Sequence, residues 1–294
     1  MRCFLLALAL LASPVQAGVP GVVTDIAPVQ SIAAQVMGDL GEPVMLLNPD
    51  ADPHDFQMRP SQGRAMANAE LVIWMGRALT PWMGEAIDTL GNGETASLEL
   101  LALPDLPSLF GTEAGFPPPQ DPATADPHAW LDPANAARFT GEIAEALAAL
   151  DPENAPVYRA NAARFQARLT RMTDELRALL QPAGGTALIT YHDAYRYFMS
   201  RFGLQFAGSL APSDAVPPSA ARIAEIRDFL AANPNACVFT EPGANLRLIQ
   251  AVLPDPGAPV ASLGPLDAGQ PPGPGYYEAL IRRLADTFAA CAIR

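Results

Sequence analysis

The chain has 294 residues, half of them hydrophobic, enough apolar material for one large or two ordinary domains, and this excludes intrinsic disorder. Its 31 acids against 18 bases give a formal charge of −13, which excludes nucleic acid and anionic membrane surfaces as partners. With 31 prolines and 22 glycines, many short elements joined by stiff loops are expected rather than long bundles.

Residues 1–17 read as an export signal. Met1-Arg2 precedes the apolar run Phe4 to Ala12, and Val15-Gln16-Ala17 gives a small-residue cleavage pattern, so cleavage is expected after Ala17. The run is too short to span a bilayer, and Cys3 precedes it instead of standing at the cleavage point. With no later run long enough to cross a membrane, the expectation is a soluble periplasmic protein with no membrane anchor.

The mature chain then alternates β-rich runs with helical patterns, as α/β units with parallel strands do. Strands are expected at 21–24, 43–47, 71–76 and 96–100, with helices near 27–38, 61–69 and 81–90 between them. The proline-rich segment 104–127, without Lys or Arg, reads as an extended surface loop. Asp132-Pro133 reads as a helix N-cap followed by a first-turn proline. Asp151-Pro152-Glu153 opens a long helical stretch to about Leu180, with Val157, Phe165, Leu169, Met172 and Leu176 on one side, ending at Pro182 and Gly184-Gly185. The second half repeats the plan, with strands at 186–191, 205–209, 237–240 and 259–263, helices near 193–202, 219–232 and 244–252, and a final helix over 276–292. The expected architecture is two similar α/β lobes with parallel four-stranded sheets flanked by helices. Their bounds are 18–150 and 184–294, joined by one rigid helix within 151–183.

Only three histidines occur, in Asp52-Pro53-His54-Asp55-Phe56, Asp126-Pro127-His128-Ala129-Trp130 and Tyr191-His192-Asp193-Ala194-Tyr195. His54 and His192 follow or end strands, at the carboxyl edge where open α/β sheets bind ligands. Prolines before His54 and His128 restrict their loops, as suits a preformed metal shell. Three imidazoles suit Zn²⁺, with Asp55 or Asp193 as neighbours able to orient a ring nitrogen. Their wide separation means the fold would have to gather them, and spacing alone leaves ordinary hydrogen-bonded histidines equally open. Once the leader is removed two cysteines remain, Cys237 and Cys291. In an oxidising compartment a disulfide closing a loop of about 55 residues is expected, contributing about 4 kcal/mol on the chain-entropy model; two separate buried thiols are the alternative.

These three histidine segments, with Arg59-Pro60-Ser61 after the first, resemble in order the metal-binding signatures of the cluster A-I solute-binding proteins of ABC transporters, zinc (ZnuA-like) branch. Cys237-Val238-Phe239-Thr240-Glu241-Pro242 and Cys291 resemble that branch's strand and its disulfide to the terminal helix. The resemblance spans essentially the whole mature chain. It implies a metal held by His54, His128 and His192 in the cleft between the lobes, and delivery of Zn(II) to an ABC permease powered by a cytoplasmic ATPase. Manganese and iron receptors of the family place a carboxylate where His192 stands, and nitrogen donors favour zinc. Where the family supplies an aspartate from L-D-P-L-G, this chain reads Leu263-Gly264-Pro265-Leu266-Asp267. The fourth ligand is therefore Asp267, Glu241 or water. Segment 104–127 lacks the His-rich tract of many zinc receptors, which leaves open a separate periplasmic zinc chaperone as the source. A monomer is expected.

Two other classes stay in view. Three histidines and a water also form the shell of a catalytic zinc, with Glu241 or Asp267 as nominal base, so an exported zinc hydrolase is the rival. A metal-dependent adhesin would share the fold. Trp74, Met75, Trp82 and Met83 are read as packing of the first lobe, and Tyr195, Tyr197, Phe198 and Phe202 as an apolar shell beside the site. Arg59 is read as a partner of Asp55 or as a solvated surface residue.

Overall fold

A computed structural model describes residues 18–48, 51–91, 95–109, 126–211, 217–253 and 260–292. The expected leader and most of segment 104–127 lie outside them. The first half comprises β1 (Val22–Thr24), α1 (Ala27–Met37), β2 (Val44–Met45), α2 (Pro60–Ala67), β3 (Leu71–Trp74), α3 (Pro81–Leu90) and β4 (Ala96–Glu99). Two helices follow, α4 (Pro133–Leu150) and α5 (Ala155–Leu180). The second half comprises β5 (Ala187–His192), α6 (Arg196–Phe202), β6 (Gln205–Ala211), α7 (Ala220–Ala232), β7 (Cys237–Thr240), α8 (Leu246–Val252), β8 (Ala261–Ser262) and α9 (Tyr276–Ala292).

Each half forms one parallel four-stranded sheet, in the orders β2-β1-β3-β4 and β6-β5-β7-β8. The two orders are the same plan repeated, so the direction of winding reverses between β1 and β3 in one sheet and between β5 and β7 in the other. Crevices at such reversals, outside the carboxyl ends of the strands, are where open α/β sheets take ligands.

Alternation along the strands builds the layers. Val22, Leu71 and Ile73 face a central core, whereas Val23, Val72 and Trp74 face an outer core with Met66, Met83 and Ala86. In the second sheet Leu188, Cys237 and Phe239 face the same central core, and Ile189, Val238 and Leu210 face another outer layer with Ile226 and Ile249. The central core is continuous from one sheet to the other. It is filled from between by α1, α4, α5, α6 and α9.

α5 holds this core together along its length. Its buried side chains, Tyr158, Ala162, Phe165, Leu169, Met172, Leu176 and Leu180, recur three or four residues apart and form one apolar stripe. Its 26 residues run about 39 Å at 1.5 Å per residue. Polar bonds stitch the halves as well: Ser31 Oγ donates to the Pro274 carbonyl at 2.9 Å, and the Tyr277 N–H donates to Ser31 Oγ at 3.0 Å. The Trp130 indole N–H donates to the Pro265 carbonyl at 3.0 Å.

The expected strands all occur; β2 and β8 are three residues shorter than expected, β6 is two longer, and the others agree within two residues. α4 departs from expectation: the sequence flagged its cap at Asp132-Pro133 but not its 18-residue body. Ala136, Phe139, Ile143, Ala144, Leu147 and Ala148 bury one face of it, and several of these are alanines, which carry a weak periodic signal. Cys237 and Cys291 form a disulfide that ties β7 to α9. Trp74, Met75 and Met83 are buried packing residues, as expected. Among the described residues no helix is long and apolar enough to cross a membrane.

Candidate metal centre

His54, His128 and His192 converge between the two sheets. His192 is the last residue of β5, at the winding reversal of its sheet. His54 stands in the loop that follows β2, and His128 immediately precedes a 3-10 turn over Ala129–Leu131 that leads into α4. The His128 ring centroid lies 5.4 Å from that of His192 and 6.2 Å from that of His54. Three rings on one tetrahedral zinc, with Zn–N of about 2.0–2.1 Å, have centroids roughly 5 Å apart. The pair His128–His192 already has nearly that spacing, and His54 is about 1 Å wide of it. As the side chains stand, no three His, Cys, Asp or Glu groups among the described residues enclose a common point.

Local chemistry aims each ring. At Asp52-Pro53-His54 and Asp126-Pro127-His128 the same turn recurs: the aspartate Oδ1 accepts the backbone N–H of the histidine two residues on, at 2.8 and 2.9 Å. The Trp82 indole N–H donates to the Pro53 carbonyl at 2.8 Å and holds the first turn from α3. Trp130 packs its ring 5.1 Å from that of His128.

Carboxylates then fix two of the rings. Asp126 Oδ1 lies 2.7 Å from His128 Nδ1, and Glu241, the residue after β7, lies 2.8 Å from His192 Nδ1 through its Oε2. A carboxylate at Nδ1 places the ring proton there and turns the Nε2 lone pair to the opposite side, the arrangement of metal-bound histidines. Burial drives the Asp126 carboxyl up to about 7, against the pull of the His128 N–H and of the Arg196 charge. Burial, and then the nearby Glu241 carboxylate, push the Tyr195 phenol well above its usual range.

These partners differ from those the sequence suggested. Asp193 is engaged by Arg196, whose Nε donates to its Oδ2 at 2.8 Å, and burial still holds its carboxyl above the usual range. Asp55 is exposed to solvent. Asp126 was legible as half of a repeated Asp-Pro-His spelling. Glu241 entered the sequence reading as a candidate ligand, and the fold instead sets it against the far nitrogen of His192, because β5 and β7 are neighbours.

His128, His192 and Glu241 line an open cleft of about 870 Å³ between the lobes. Asp267 lines it too, with its carboxylate occupied elsewhere: Oδ1 accepts the Gly269 N–H at 2.9 Å, and Oδ2 meets Arg283 at 3.2 Å. Tyr195, Tyr197, Phe198 and Phe202 are buried behind His192, and Phe198 stacks on Phe288 of α9.

Known proteins resemble this chain over most of its length. Residues 22–291 match the family model "Zinc-uptake complex component A periplasmic" (ZnuA). The high-affinity zinc uptake system protein ZnuA of Paracoccus denitrificans is 39% identical, over 97% of this chain and 95% of its own length. The protein of the same name from Brucella abortus is 32% identical, over 92% and 91%. Among solved structures, a zinc-bound deletion variant of ZnuA is 26% identical with a TM-score of 0.75, covering 91% of this chain and 96% of that one. By its match over nearly its whole length, the chain belongs to the periplasmic zinc-uptake component A (ZnuA) family.

Proposed function

We propose that this protein is the periplasmic zinc receptor of a zinc-uptake complex, a binding component and not an enzyme, with His54, His128 and His192 as the zinc ligands. The observation that carries the ligand assignment is the convergence of three rings from separate segments, two with a carboxylate against Nδ1. Nitrogen donors of this kind favour zinc over manganese, which prefers oxygen-rich shells. Glu241, the nominal base of a hydrolase, is better used orienting His192.

The rest of the assignment follows as part of the same proposal. The leader is removed after Ala17, the mature protein is an unanchored monomer, and it hands its cargo to an inner-membrane ABC permease. Without a His-rich arm, zinc reaches it either free or from a periplasmic chaperone. The lobes are taken as 18–150 and 184–294 with 151–183 linking them. The fourth zinc position belongs to Asp267 only if that residue leaves Arg283, and otherwise to water or Glu241.

The test is a titration of the chelator-stripped mature protein with Zn²⁺ against a chromophoric competitor. One tight equivalent is expected, weakened at least about 100-fold in His128→Ala, since one of three protein ligands is gone. Asp267→Ala in the same assay tests the fourth position, whereas Glu241→Ala reads the loss of its hold on His192 Nδ1. Absence of a tight equivalent would overturn the receptor reading.

A further inference from the structure

Helix α6 grips the segment that carries His128 on both sides of that ring. It follows β5, which ends at His192, and Tyr197 and Arg201 stand one turn apart on one face of it. Upstream of His128, the Tyr197 hydroxyl donates to the Pro107 carbonyl at 2.8 Å and accepts the Leu109 N–H at 3.2 Å. The Leu109 carbonyl in turn accepts the Asp126 N–H at 2.7 Å. Asp126 Oδ1 then accepts the His128 N–H and lies against His128 Nδ1. Downstream, the Arg201 guanidinium takes both oxygens of Asp132 at 2.6 and 2.7 Å. The 3-10 turn between His128 and Asp132 is closed by the Leu131 N–H on the His128 carbonyl at 3.1 Å.

The helix that leaves one candidate ligand therefore brackets another from the opposite half of the chain. The His54 turn is held from α3 instead, through Trp82, within its own half. Ring spacing follows the same division, 5.4 Å for His128–His192 and 6.2 Å for His128–His54. Tyr197 is buried, and its hydroxyl spends both its donor and its acceptor on the backbone that leads to Asp126. A phenyl ring would fill the same space but leave the Leu109 N–H and the Pro107 carbonyl without that bond.

We infer that Tyr197 and Arg201 are positioning residues for zinc binding. The Tyr197 hydroxyl sets Leu109, Leu109 sets Asp126, and Asp126 holds the His128 ring at its spacing from His192; Arg201 fixes the far end of the same segment. The inference rests on the receptor reading above and adds two residues that are neither ligands nor carboxylate partners of a ligand.

The experiment measures Zn²⁺ affinity of the stripped mature protein by competition with a chromophoric chelator. Wild type is compared with Tyr197→Phe, Arg201→Gln, Asp126→Ala and the Tyr197→Phe, Asp126→Ala double variant. Tyr158→Phe serves as the reference, since Tyr158 is also buried and its hydroxyl bonds to Asp151 at the junction of α4 and α5. Loss of an orienting partner costs about 10–100-fold, and one step further out Tyr197→Phe and Arg201→Gln are each expected to weaken zinc binding about 5–10-fold. In the Asp126→Ala background Tyr197→Phe is expected to change affinity by less than about twofold, because the link through which it acts is gone. The visible bands of bound Co²⁺ are expected to move in Tyr197→Phe and to coincide with wild type in Tyr158→Phe. Wild-type affinity in Tyr197→Phe or in Arg201→Gln overturns the inference and leaves the receptor reading standing. So does a full Tyr197→Phe effect in the double variant, or an equal loss in Tyr158→Phe. Wild type without a tight equivalent of zinc overturns the receptor reading, and this inference with it.

Discussion

At the residue scale, the candidate site is two chemistries in register: rings that can hold a metal and carboxylates that hold the rings. Asp126→Asn and Glu241→Gln keep size while weakening the acceptor at Nδ1. Each is expected to lower zinc affinity about 10–100-fold, read by competition with a chromophoric chelator, with the fold unchanged by circular dichroism. Asp25 is the counterpart at the other winding reversal. Its fully buried carboxylate accepts N–H bonds from Ile26 and Met75, both at 2.8 Å, and the Thr80 hydroxyl at 3.1 Å. Burial outweighs those bonds and raises its pKa from 3.8 to about 6. The folded state therefore holds this proton more tightly than the unfolded chain does. The contribution is fully present below about pH 4 and is lost as pH rises through 6, about 3 kcal/mol in all. Thermal melts of metal-free protein should show wild type gaining on Asp25→Asn as pH falls from 7.5 to 4.5; a constant difference would refute the assignment. The histidines were legible because a residue used three times in repeated contexts stands out. Of their carboxylate partners only Asp126 stood in a readable spelling; Glu241 reaches His192 Nδ1 because β5 and β7 are neighbours, and Asp193, adjacent in sequence, is turned to Arg196 instead.

At the scale of elements, strands and caps were readable and one helix body was not. The short runs at Val22–Thr24 and Leu71–Trp74 are buried at every position and stand out as continuous β-forming runs, and Pro28, Pro60 and Pro81 mark helix starts. In α4 alanines share the buried face with Phe139, Ile143 and Leu147, which weakens its periodic signal. Its cap compensates for that weak signal. Asp132 Oδ1 accepts the Ala134 N–H at 2.8 Å, and Arg201 of α6 grips both carboxylate oxygens at 2.6 and 2.7 Å. Asp132→Ala loses the cap and strands the guanidinium, and urea denaturation is expected to show a loss of about 2–4 kcal/mol. In α9, Phe288 meets Tyr195, Phe198 and Phe239. Phe288→Ala is expected to cost about 3–5 kcal/mol and, by loosening the packing behind His192, to weaken zinc binding as well.

At the scale of the whole molecule, one core shared by both sheets means that the lobes do not move as independent bodies. Zinc binding is expected to leave the radius of gyration nearly unchanged in small-angle scattering, with adjustment confined to loops such as that of His54. A large compaction would contradict the shared core. Calorimetric unfolding should be a single transition. Removing the cross-link in a Cys237→Ser, Cys291→Ser double variant is expected to lower stability by about 4 kcal/mol without splitting that transition.

The contact between the first helix and the last has a consequence for assembly. Ser31 of α1 is bonded to Pro274 and Tyr277, more than 240 residues later, and α9 fills the core against which α1 packs. A chain that crosses a membrane amino end first cannot complete that core until its last helix has emerged. Until then the apolar faces of α1 and α5 lack their cover. On the proposed export route the early lobe is expected to stay loosely closed during transit, so that a metal site needing both lobes forms only after translocation is over.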